Sequence, residues 1–156
     1  MLLPLFEWCE STGLGLVVRE SVWLFPVIEA AHLLGLCLLG GALFLVDLRM
    51  LGAGLTRTAL PALARQARPW LVAGVATMLA SGVLLFLSEA IKCYYSQAFW
   101  VKITTLPVAL LFTFVVRERV AAAADHHVGF TVAATGAVSI TLWLTVAAAG
   151  RWIGFS

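Results

Sequence analysis

Four apolar runs, each near the length that crosses a bilayer, constrain this chain more than any other feature. A helix rises about 1.5 Å per residue, so roughly 20 apolar residues cover the hydrocarbon core. The runs are Val22–Val46, Trp70–Leu87, Phe99–Val116 and Val128–Ala149. Composition agrees: 62% of residues are hydrophobic and 12% charged, against about a quarter charged in soluble domains. The expected fold is an all-α integral membrane four-helix bundle, a single transmembrane domain over residues 1–156. Such a chain has the lipid bilayer as its partner and no nucleic acid.

Local signals set the ends. Asp47 and Arg49 mark an interface after the first run, and Gly52 and Gly54 can stop its helix. Pro69 suits the first turn of the second helix, and Pro107 predicts a kink in the third. Residues 5–20 are too polar to span and are expected to form a short interfacial segment. Glu7 and Glu10 interrupt the N-terminal apolar stretch, which also lacks the basic start of a signal peptide.

Loop charge predicts orientation. Side A holds both termini. Side B carries Arg49, Arg57, Arg65, Arg68, Arg117 and Arg119, whereas the basic residues of side A are diluted by Glu7, Glu10, Glu20 and Glu89. The positive-inside rule then puts side B in the cytoplasm. The expected location is a bacterial inner membrane, crossed several times, with both termini periplasmic.

Helices in lipid associate through close packing and shared hydrogen bonds, because the acyl chains are as apolar as leucine. Ala73, Thr77 and Ser81, with Gly74 and Gly82 beside them, form one such stripe. Thr131, Thr135 and Ser139 form another.

Packing alone does not explain the ionisable residues. Glu29 and His32 lie inside the first run, three apart and therefore neighbours on a helix. Counted from Val22, His32 lies about 15 Å deep, near mid-membrane. Lys102 opens the third run and Arg151 closes the fourth, both on side A. Intramembrane charges face the bundle interior and pair. His32 then has two readings: a neutral imidazole bonded to a neighbouring helix, or an axial ligand of haem iron. Gly35, Gly40 and Gly41 would give a flat macrocycle room, and Lys102 and Arg151 are candidates for its propionates.

Elsewhere the signals are weaker. His126 and His127, with Asp125, form either an exposed interfacial pair or a second metal site. They lie roughly 20 Å in depth from His32, too far to share an iron. A copper pathway lacks the clustered Met or Cys it needs, since Met50 and Met78 are apart and Cys37 stands alone. Cys9 and Cys93 share side A, either as a disulfide or as two free thiols.

The run FPVIEAAHLLGLCLLGGALFLVDLRMLG, then FWVK and AGRWIGF, resembles an uncharacterised bacterial family of small four-helix membrane proteins over nearly the whole chain. More distantly, the arrangement resembles the superfamily of HemJ-type protoporphyrinogen oxidases and copper-resistance D proteins. That resemblance implies b-type haem on His32 and a required Lys at Lys102.

The expected function is a membrane b-type cytochrome exchanging electrons with a quinone or periplasmic partner. Its expected site is His32 as iron ligand, with Gly35, Lys102, Arg151 and Glu29 around the cofactor. Two other classes stay open. One is a structural or accessory subunit, or a small permease, with a buried Glu29–His32–Lys102 network, working as a homo-oligomer or within a membrane complex. The other is porphyrin oxidation in the HemJ manner.

Overall fold

Each spanning helix runs past the apolar stretch that predicts it at one end or both. The computed structural model describes residues 2–124 and 129–155, so Asp125, His126 and His127 lie outside the described residues. Two short helices, α1 (Leu3–Glu10) and α2 (Gly13–Glu20), precede α3 (Leu24–Met50) and α4 (Leu60–Ser88). A short α5 (Ala90–Tyr95) leads to α6 (Gln97–Leu111), a π-helical segment Phe112–Arg117, α7 (Glu118–Ala123) and α8 (Phe130–Ile153). The described residues contain no strand. Four helical stretches are long and apolar enough to cross a membrane: α3, α4, the continuous stretch Gln97–Ala123, and α8.

The ends differ from expectation for local reasons. α3 continues through Asp47 and Arg49 and stops at Gly52, whose φ of 71° suits a residue without Cβ. There Ala53 N–H donates to Leu48 O at 2.9 Å and Gly52 N–H to Arg49 O at 3.1 Å, which satisfies the last carbonyls. In α4 it is Pro61, not Pro69, that occupies the first turn; Pro69 lies inside the helix. An internal proline removes one backbone bond without ending a helix that neighbours support. In the third span the change of winding lies at Phe112–Arg117, beyond Pro107.

Small residues bring the helices together. A Cβ on Gly74 would lie 2.6 Å from Leu39 N, and one on Gly35 3.0 Å from the Thr77 methyl. The stripe on α4 is thus the seam with α3. Gly136 does the same for α8, 2.9 Å from Met50 Cβ. Leu33, Leu34, Leu79 and Val83 point outward, as side chains facing acyl chains must.

Two cores result. One fills the side-B half with Leu39, Leu43, Val46, Met50, Leu60 and Leu71. The other caps side A, where α1 and α2 do not span. Phe6 meets the rings of Phe86, Tyr94, Phe99 and Trp100 at centroid distances of 5.4, 5.3, 6.0 and 5.9 Å. Gly15 seats α2 on the end of α4, where a Cβ would come 2.5 Å from Leu87 O. Between these cores lies a thinner layer. Ahead of Leu39, the only buried residue of α3 is Gly35, and α6 buries Ala109 alone.

Asp47 and Arg49 do not mark an interface. Asp47, 1% exposed, accepts from Arg117 Nε at 2.5 Å and from Ser139 Oγ at 2.7 Å. Arg117 also donates from Nη2 to Leu43 O at 3.2 Å. This network joins α3, the π-helical segment and α8 at one level. Arg49 Nε donates to Thr58 O at 2.9 Å and holds the α3–α4 loop.

Candidate functional site

α3 has 27 residues and is about 40 Å long. His32 is the ninth, so it lies about 12 Å from the side-A end and about 8 Å above the middle. The helix extends four residues past its apolar run toward side B, so His32 lies on the side-A half of α3 itself.

Its ring is oriented by α4. His32 Nδ1 lies 2.8 Å from Ser81 Oγ, and Ser81 donates its hydroxyl to Thr77 O at 2.5 Å. A hydroxyl has one proton. When that proton is on the Thr77 carbonyl, Ser81 Oγ accepts from His32 and Nδ1 carries the imidazole proton. Nε2 then holds the lone pair, the state of a metal-ligating histidine whose other nitrogen is fixed by an outer partner. Gly82 lies against this ring: a Cβ there would be 3.4 Å from His32 Cε1.

Lys102, the sixth residue of α6, is half-buried and passes over Gly150 of α8, where a Cβ would be 3.2 Å from its Nζ. It is close enough to His32 for their charges to interact. His32 thus sits in the α3–α4 seam and Lys102 in the α6–α8 seam. No carboxylate forms an ion pair with Lys102 among the described residues.

The other expected site residues lie elsewhere. Glu29 is exposed on the outer surface of α3. Three residues turn a helix by about 300°, so it sits about 60° around from His32 and misses the interior. Gly35 is taken up by Thr77 and by Met78, whose Cγ would be 3.3 Å from its Cβ, so it serves the α3–α4 seam. Gly40 and Gly41 have nothing within 4 Å of a Cβ. Arg151 is exposed at the end of α8, its guanidinium carbon 4.6 Å from the Phe155 ring centroid. Cys9, Cys37 and Cys93 are free thiols. Cys9 and Cys93 border the same aromatic cap. Burial, reinforced by the negative charge of Glu89, raises the Cys93 thiol to about 11.

Among the described residues no three His, Cys, Asp or Glu side chains converge as a metal site would require. What the residues present offer is one imidazole, fixed through Nδ1, and one cation. Ser81 and Gly82 belong to the site but read in the sequence as packing residues; their spacing on α4 was the available signal.

No curated protein and no solved structure matches the chain. One family does, across residues 5–156. The chain belongs to that family of unknown function, DUF6644.

Proposed function

We propose that this protein is a b-type haem-binding membrane protein that moves electrons between a quinone or periplasmic partner and its cofactor. The observation that carries the reading is the Thr77–Ser81–His32 chain, in which Ser81 engages Nδ1 and Nε2 is the nitrogen left to take a ligand. Iron takes such an imidazole as an axial ligand. Lys102, which forms no ion pair with a carboxylate among the described residues, adds support, since haem carries propionates. The resemblance to HemJ-type proteins points the same way.

When bound, haem supplies a one-electron couple. The chain's own residues hold and orient: His32 offers Nε2, Ser81 fixes the ring, and Lys102 offers a cation toward side A. Arg151 and Glu29, both exposed, take no part. The arginines of side B favour a cytoplasmic placement of that face, hence periplasmic termini in a bacterial inner membrane. A homo-oligomer or a larger membrane complex would cover the outward face bearing Glu29.

One observation favours a second reading. The His32–Ser81 bond by itself joins α3 to α4, as a structural histidine in an accessory subunit would. Substitution separates the two. His32→Ala purified beside the parent should lose the haem absorption while the helices still assemble. A fully retained, unshifted Soret band in that variant would leave only the structural reading.

A further inference from the structure

A cleft of about 330 Å³ opens at the side-B end between α3, the start of α4 and α7. Its walls are small and apolar, with Ala42, Ala64 and Leu71 among them. Its polar groups are three arginines, Arg65, Arg68 and Arg117, and one acid, Glu118. Two of the three cations are already matched. Arg117 is held by Asp47, and Arg68 Nε lies 3.3 Å from Glu118 Oε2. Arg65 forms no ion pair among the described residues, so the cleft has a surplus positive charge.

Position decides what such a cleft can take. Arg65 and Arg68 lie five and eight residues beyond Leu60, about 8 and 12 Å along α4, at the level where headgroups meet acyl chains. A soluble anion would match the arginines and leave the alanine and leucine wall bare. An anionic amphiphile matches both. We propose that this cleft binds one anionic phospholipid of the side-B leaflet, its phosphate at Arg65 and Arg68 and an acyl chain along the wall. Basic pockets between transmembrane helices recognise lipid headgroups in this way. Arg117 forms part of the floor of the cleft, held there by its bonds to Asp47 and Leu43 O, and the surplus charge is that of Arg65. The inference needs only the membrane-spanning fold and stands apart from the haem reading.

Native mass spectrometry of the full chain, with phosphatidylglycerol and phosphatidylcholine titrated separately, tests it. The parent should retain phosphatidylglycerol in preference to phosphatidylcholine. Arg65→Gln should weaken phosphatidylglycerol roughly fivefold, the scale expected of one arginine near an anionic surface. Arg119→Gln removes the same charge from an exposed residue outside the cleft and should change nothing. Ala122→Leu, at an exposed position on the cleft wall, should weaken binding by filling space without altering charge. Equal retention of the two lipids overturns the proposal, as does an equal effect of Arg65→Gln and Arg119→Gln. Displacement of the lipid by millimolar inorganic phosphate would mean that the cleft reads a free anion instead.

Discussion

Asp47→Ala should be among the most damaging single substitutions in this protein. Asp47 is 1% exposed and Arg117 3%, and their bond runs between helices seventy positions apart. At an effective dielectric constant near 20, unit charges about 4 Å apart attract by about 4 kcal/mol. Removing the carboxylate forfeits this attraction, orphans the Ser139 hydroxyl and leaves a guanidinium buried without its counter-ion. Breaking a buried pair from one side costs about 3–5 kcal/mol, and the same range should hold here. Arg117→Met should cost a similar amount, since it strands the aspartate. The double variant Asp47→Ala with Arg117→Met removes both charges and should recover part of the loss, because an apolar pair carries no desolvation penalty. Equilibrium unfolding of the four proteins in mixed micelles gives the coupling directly. A coupling below about 0.5 kcal/mol, the level of additive sites, would refute the buried pair.

Three further expectations follow from the geometry. Gly74→Leu should weaken the α3–α4 seam, because its Cβ meets Leu39 backbone at 2.6 Å, and a thermal melt should show the loss. Cys93 should react slowly with maleimide near neutral pH and speed up as pH approaches its raised value of about 11. Its folded value lies above the ordinary thiol value of 9.0, so the neutral thiol favours the fold. That contribution is complete below pH 9 and is lost as pH rises through about 11. Fast labelling of Cys93 at pH 7 in the folded protein would contradict its burial. Lys102→Ala should loosen haem by about 1–3 kcal/mol, the scale of a charge-assisted bond, whereas Glu29→Gln, on the outer surface, should leave haem affinity unchanged in the same titration.

The four spans were legible because the bilayer sets a length that any apolar run can be measured against. Their ends were not, since Asp47 and Arg49 read as solvated and become buried only once Arg117, Ser139 and Thr58 reach them. Such pairings depend on which helices are neighbours and at what register, and a single sequence carries neither. Gly52 is the counterexample: a left-handed stop is local chemistry, and it fell where expected. His32 and Lys102 were legible as costly polar groups in lipid. Their supporting partners Ser81, Gly82 and Gly150 were not, because small residues serve packing and site alike. Glu29 misled for a related reason. Residues three apart are neighbours on a helix, yet the 60° between them is enough to put one inside and the other out.

The central claim is the ligand-ready imidazole of His32, and a pyridine haemochrome assay on the purified protein tests it most directly. The account predicts haem b bound to the parent chain and absent from His32→Ala. A colourless parent protein, still colourless after incubation with haem in a folded state, would contradict it.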